Sequence, residues 1–199
     1  MSPSGRFIAF EGGEGSGKST QAALLARRLG AVLTHEPGGT EVGARVRAIV
    51  LDPAVGAALD VRAEALLMAA DRAQHVAEVV RPALAGGRDV VTDRFSGSTL
   101  AYQGYARGLD VGELAWLSQW SAGRLEPDVV VLLDVPAEVA AIRMKQDRDR
   151  LEAAGDDFHR RVVEGYRALA AADPDRWRVV DGSGSVEHVE ALVQKALST

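Results

Sequence analysis

The sequence predicts an α/β fold: a five-stranded parallel sheet with helices on both faces. Three observations carry this prediction. Short β-like runs recur along the chain at Phe7–Phe10, Ala31–Thr34, Asp89–Thr92, Val129–Leu133 and Arg178–Val180. Longer stretches with helical patterning separate each run from the next. The runs are mostly apolar without alternation, so both faces need cover, and that pattern belongs to parallel sheets.

The helical stretches are Lys18–Leu29, Val42–Leu51, Arg62–Ala85, a less regular one from Thr99 to Arg124, then Ala137–Met144, Asp156–Ala172 and Val186–Leu197. Gly182-Ser183-Gly184-Ser185 joins the last strand to the last helix as a loop, with Ser185 as the N-cap. The stretch 145–157 is rich in charge and poor in apolar residues, which suits either a solvated helix end or a short lid. No repeat and no linker interrupts the chain, so residues 1–199 read as one domain.

Composition narrows the function. At 199 residues, 47% hydrophobic and 26% charged, the chain has the make-up of a globular protein. No apolar run approaches the roughly 20 residues of a membrane span, and Met1–Arg6 has no apolar signal core. Without cysteine there is neither a disulfide framework nor a thiolate metal site, and a cytoplasmic location is the default. The net charge of −5 argues against a nucleic-acid polymer as partner. It leaves room for a small anionic ligand held by a local basic cluster.

Gly12-Gly13-Glu14-Gly15-Ser16-Gly17-Lys18-Ser19 satisfies G-x-x-x-x-G-K-[ST] between a strand and a helix, the context that defines a phosphate-binding P-loop. A chance match in a chain of this composition has a probability of roughly 0.003. Glycines let backbone N–H groups converge on phosphates, and the helix N-terminus favours an anion. Lys18 is expected to reach the β- and γ-phosphates of ATP, Ser19 to ligate Mg²⁺, and Thr20 to complete the loop. A GTPase is disfavoured, since its guanine-reading N-K-x-D needs an asparagine and the chain has none. An ATP-binding module without catalysis stays open on the loop alone.

A second anion site separates a kinase from such a module. Glu36-Pro37-Gly38-Gly39-Thr40 follows the second strand, Asp93-Arg94-Phe95 closes the third, and Ala101-Tyr102-Gln103-Gly104 comes soon after. Strand ends of a parallel sheet open on one side, so Arg47, Arg72 and Arg94 can converge opposite the γ-phosphate. Phosphoryl transfer relies on positioning and charge stabilisation, which fits that arrangement.

These strings, with Phe10-Glu11-Gly12, Ser98-Thr99 and Leu133-Asp134-Val135 in the same order, resemble the bacterial thymidylate kinases over nearly the whole chain. The resemblance implies a P-loop NTPase fold, transfer of the ATP γ-phosphoryl group to dTMP, Mg²⁺ as cofactor, and a homodimer built on helices. It implies Arg47 and Arg94 as a clamp on the dTMP phosphate and Arg72 as a hydrogen-bond donor to thymine. Ser98, Thr99, Pro37 and Gln103 line the acceptor side, Tyr102 lies beneath the deoxyribose, and Glu14 faces the sugar 3′-hydroxyl. Asp93 is expected in the outer shell of Mg²⁺ or as the orienter of Arg94, and Arg143 on the ATP side. Asp134 ends a strand where Walker-B carboxylates sit. The P-loop carries no arginine, so the arginine of the transition state is expected in the lid, as Arg148 or Arg150. Met68 is a departure, standing where the family usually has a phenylalanine stacked on thymine. The alternative acceptors are another nucleoside monophosphate or a deoxynucleoside.

Overall fold

The computed structural model describes residues 5–55, 58–143 and 149–198. β1 (Phe7–Glu11), β2 (Val32–His35), β3 (Val90–Asp93), β4 (Val129–Asp134) and β5 (Trp177–Asp181) form one sheet in the order β2-β3-β1-β4-β5. Every neighbouring pair is parallel. Between the strands run α1 (Lys18–Leu29), α2 (Glu41–Val50), α3 (Val61–His75), α4 (Arg81–Ala85), α5 (Ser96–Thr99), α6 (Val111–Ser121), α7 (Ala137–Arg143) and α8 (Asp156–Ala172), and α9 (Val186–Leu197) follows β5. The five expected strands are present, and Ser185 caps α9 by accepting from the His188 N–H.

Pleating divides the core. Ile8 and Phe10 of β1 point to one face, where Leu25 of α1 and Val189 and Val193 of α9 cover them. Phe7 and Ala9 point to the other, against Val76, Val80, Phe95 and Ala122. Beside them a third cluster joins Leu132 of β4 to Tyr102, Leu151, Phe158, Val162 and Tyr166. The loops that carry chemistry therefore all leave a rigid, dry sheet at its carboxyl edge.

The stretch expected as one helix over 62–85 contains a π-helical turn at Val76–Val80 before α4. Its cause is local: Pro82 stands at the start of α4, and its ring excludes the carbonyl four residues back. The turn widens, and the Arg81 N–H donates to Val76 O instead. A second π segment, Leu100–Ala106, follows α5 and presents Tyr102 and Gln103 to the interior. No helix among the described residues is long and apolar enough to cross a membrane.

α8 lies against this π segment, and Gly165 is the point of closest approach: a Cβ there would sit 2.8 Å from Cβ and from Cγ of Tyr105. Alanine is the better helix former by about 1 kcal/mol, yet those atoms belong to the stiff root of a ring. Gly165→Ala is expected to lower stability by about 1–3 kcal/mol through overpacking, measured by urea unfolding. A variant of higher stability would show that helix propensity wins and that the contact yields.

Candidate active site

β1 delivers the chain into the P-loop at Gly12, where φ is 148° and a Cβ would lie 2.7 Å from Leu133 O, so only glycine fits. Gly15 and Gly17 also have positive φ, 69° and 89°. The turn is thus closed by residues that carry no side chain, and its backbone faces the cavity between β1 and α1. Gly13 and the exposed Thr20 flank it. Lys18 opens α1, is buried, and donates through Nζ to Gly13 O at 2.7 Å and to Ser16 Oγ at 3.2 Å. Burial, and after it the charge of Arg94, lowers Lys18 to about 8.

Ser19 Oγ donates to Asp93 Oδ2 at the end of β3. The other Asp93 oxygen, Oδ1, is buried with no hydrogen-bond partner. A hydroxyl beside an unsatisfied carboxylate oxygen is the hard-oxygen donor set that suits Mg²⁺ when phosphates complete its shell. Ser19, Asp93 and Lys18 share one pocket of about 670 Å³ with the acceptor residues.

Across that pocket stands Arg94, a non-glycine residue at φ 72°. Its Nη1 donates to Gly12 O at 3.2 Å, Ser98 Oγ at 3.2 Å and Tyr166 Oη at 3.1 Å. Nη2 donates to Glu14 and to Tyr102 Oη. Tyr102 Oη in turn donates to Glu14 Oε1 at 2.6 Å. Burial would raise the Glu14 carboxyl, but Arg94 and then Lys18 bring it down to about 2. Glu11, beneath them, accepts from the Phe95 and Ser98 N–H groups at 3.0 Å each and from Tyr166 Oη at 3.0 Å. Burial dominates there and raises its pKa, against the Ser98 hydroxyl and Arg94.

The far end of the pocket rests on α3. Arg72, 2% exposed, donates from Nε to Glu36 Oε2 at 3.0 Å, from Nη1 to Ser118 Oγ at 3.2 Å and from Nη2 to Thr99 Oγ1 at 3.0 Å. Glu36 is shared with His75, whose Nδ1 lies 2.8 Å from Oε1. Pro37 follows Glu36 through a cis peptide, and Pro37 O accepts from Arg47 Nη1 at 2.9 Å. The Met68 side chain packs against the cluster of Tyr102 and Phe158 and also lines the pocket.

Arg47, Arg72 and Arg94 thus open on one cavity, though by different routes. Arg143 lines it from α7 while donating to Gly182 O at 2.8 Å. Gln103 lines it too, with Nε2 donating to Glu64 Oε1 at 2.7 Å. Asp134 lies apart from the pocket-lining set and receives three hydrogen bonds from Arg167. Arg148 lies outside the described residues. Arg150 is described, and it is buried against Glu64 and Val50 O, so reaching a phosphoryl group would require breaking that pair. Sequence reasoning gave no role to Glu11, Glu36, His75, Glu64 or Tyr166: the first two stood inside quoted strings without an assignment, and the other three in no motif.

A parallel sheet, a glycine loop ending in a buried lysine, and a second cationic wall across one cavity define a P-loop phosphotransferase. The sequence profile of the thymidylate kinase family matches residues 10–193. The thymidylate kinase of Leifsonia xyli subsp. xyli is 52% identical over 198 residues, covering 96% of this chain and 93% of its own. That of Bifidobacterium longum strain NCC 2705 is 47% identical over 197 residues, covering 96% of each. The crystal structure of thymidylate kinase from Ehrlichia chaffeensis superposes with a TM-score of 0.81 at 31% identity, covering 98% of this chain and 100% of that one. The chain belongs to the thymidylate kinase family.

One buried carboxyl beside the Glu36–Gly38 turn sits badly. Asp71 is 1% exposed, accepts from the Gly38 N–H at 2.9 Å through Oδ1, and leaves Oδ2 without a partner. Burial, and next the Glu36 charge, raises it to about 6. A carboxyl whose folded pKa lies above its unfolded value near 3.8 holds its proton only in the folded state between those limits. It therefore removes stability as pH rises from about 4 to 6. Asp71→Asn keeps an acceptor for Gly38 and is expected to raise stability at pH 7.5 by about 1–3 kcal/mol. That gain should shrink toward pH 4, as read from the melting temperature at each pH. A gain independent of pH would sink the account.

Proposed function

We infer that this chain transfers the γ-phosphoryl group of ATP to dTMP, giving dTDP and ADP. The observation that carries the reading is the single pocket in which Lys18 of the P-loop faces Arg94, Arg47 and Arg72. In-line transfer between two phosphate-bearing substrates needs cations on both sides of the transferring group and little else from the protein. An acceptor phosphate oxygen is already nucleophilic, so no strong general base is required.

We assign the roles as follows. Gly12 to Thr20 bind ATP, with Lys18 on the β- and γ-phosphates and Arg143 on the donor side. Arg94 and Arg47 hold the acceptor phosphate. Arg72, Thr99 and Ser98 offer hydrogen-bonding edges to the base, Met68 an apolar surface beside it, and Tyr102 and Glu14 seat the sugar. Mg²⁺, when held by Ser19 and Asp93 together with the phosphates, supplies positive charge to the γ-phosphoryl oxygens. We keep for Arg148 the transition-state role expected of the lid. A cytoplasmic enzyme is the setting we adopt, in keeping with a chain without cysteine.

An ADP-release assay over a panel of nucleoside monophosphates and nucleosides should give the highest kcat/KM with dTMP. A preference for AMP, CMP, GMP or a nucleoside would overturn the substrate. No ADP with any acceptor would leave an ATP-binding module. Arg94→Ala should cost about 2–5 kcal/mol in dTMP capture and less in ATP affinity, which it touches only by bracing Gly12 and Glu14; equal loss of both would place Arg94 on the donor side. In the same assay Arg148→Ala should lower kcat and kcat/KM together.

We also propose a homodimer through α6. Trp116 and Trp120 stack on one another at a centroid distance of 6.3 Å while 64% and 68% exposed, and Leu66 on adjoining α3 is exposed as well. Aromatic area of that size rarely faces solvent without a partner. Light scattering should give a mass twice the chain's 21.0 kDa, and Trp116→Glu with Trp120→Glu should halve it. A monomeric parent chain would end this proposal.

A further inference from the structure

We propose that Glu64 is a positioning residue: a buried carboxylate that latches the segment 149–155 to the acceptor-binding helix and thereby sets one wall of the acceptor pocket. The inference rests on the acceptor reading above.

Glu64 is 0% exposed on α3, one turn before Met68 and two before Arg72. That spacing puts all three on one side of the helix. A buried carboxylate is tolerated only when it is fully partnered, and its partners come from two other segments. Gln103 Nε2 donates to Oε1 at 2.7 Å, and Arg107 Nη2 to Oε2 at 3.4 Å, both from the π segment and its C-cap. Arg150 Nη2 completes the set from the segment 149–155. Arg107 is also held over the Phe158 ring at 4.6 Å, so it has support of its own. Arg150 is held further by Val50 O, which accepts from its Nε at 2.7 Å, and by Leu51 O, which accepts from its backbone N–H at 3.1 Å.

Those two carbonyls end α2, the helix that carries Arg47. One arginine therefore ties the segment to the C-terminus of α2 and to the middle of α3. Its neighbours show what the tie controls. Asp149, Leu151 and Glu152 line the acceptor pocket, and Leu151 is buried in the cluster that contains Tyr102. Gln103, the second partner of Glu64, follows Tyr102, whose hydroxyl donates to Glu14. The seat for the sugar and the wall beside it thus share a single carboxylate. Removing the charge of Glu64 leaves Arg150 buried without its counter-ion, and the cheapest relief is for residues 149–155 to swing out into water.

Two measurements together test the latch. Hydrogen exchange of amides 149–155 in the nucleotide-free protein reports the latch whether or not dTMP is the acceptor, and steady-state kinetics reports its consequence. Glu64→Gln and Arg150→Met are each expected to speed exchange of that segment about tenfold or more. Each should raise KM for dTMP by a similar factor with ATP affinity within about twofold. The double variant should be no worse than the worse single one, because both remove one interaction. Folded variants with parental exchange and parental KM for dTMP would overturn the latch, as would losses that multiply in the double variant or an equal loss of ATP affinity. If the parent protein turned over no dTMP while the exchange result held, the acceptor reading would fail and the latch would stand. Should neither single variant fold, Arg150→Lys keeps the charge but cannot serve Val50 O and Glu64 together. It is expected to give intermediate exchange, and parental exchange would overturn the proposal.

Discussion

The phosphate end of this molecule hangs on one guanidinium. Arg94 touches Gly12 in the first turn of the P-loop, Glu14 at its centre, Ser98 in α5, Tyr102 in the π segment and Tyr166 in α8. Its backbone sits at φ 72°, a conformation that costs a non-glycine residue on the order of 1–3 kcal/mol. The strain is held by two bonds: the Arg94 N–H donates to Phe10 O at 2.9 Å, and Thr92 Oγ1 donates to Arg94 O at 2.9 Å. The turn aims the side chain back across the end of β1 instead of outward. Through it, α8 and the P-loop share a cationic hydrogen-bond partner.

Charge arithmetic explains why so polar a cluster is tolerated in a largely buried site. Lys18 and Arg94 face Glu11, Glu14 and Asp93, and each ionisation is felt by the others. Glu14 does the balancing, since its low pKa keeps it anionic beside two cations. An arriving phosphate brings anionic oxygens of the kind that Glu14 Oε1 already offers to Arg94 Nη2. Binding is then an exchange of anions around a fixed cation, not the desolvation of a bare one. The balance also bears on Lys18, whose pKa is depressed chiefly by burial and by Arg94. Triphosphate oxygens within reach would favour its protonated form.

Much of this was legible in the sequence, and the reasons differ by level. Strands and helices followed from apolar runs and from glycine and proline punctuation, which act locally. The P-loop was legible because backbone geometry demands glycine at fixed spacing. The arginines of the acceptor wall were visible as strand-end and helix residues. The partners that hold them were not, because Arg72 is fixed by Glu36, 36 positions earlier, and by Ser118, 46 positions later. Tyr166 meets Glu11 across 155 positions, and Arg150 meets Glu64 across 86. Nothing in either local context separates such a tyrosine or arginine from a surface one. The π segments were also hidden: Pro82 announces a disturbance in its helix but not the wider turn that absorbs it.

The two halves of the pocket are built on opposite principles. On the proposed donor side the binding groups would be backbone N–H groups of a glycine loop, which suit the phosphates of any nucleoside triphosphate and do not read the base. On the acceptor side they are side chains locked by a buried network, in which Glu36 fixes Arg72 and His75 while His75 Nε2 lies 2.7 Å from Thr34 Oγ1. A guanidinium whose position is set by buried partners loses little entropy when it meets a base, so its discrimination is pre-organised. This also makes sense of Met68. A flexible thioether contributes surface but little orientation, so on the proposed reading selection among bases would fall to the fixed donors and acceptors of Arg72 and Thr99. Rejection of a wrong base then comes from buried polar groups left unpaired, a stronger filter than the fit of an apolar wall.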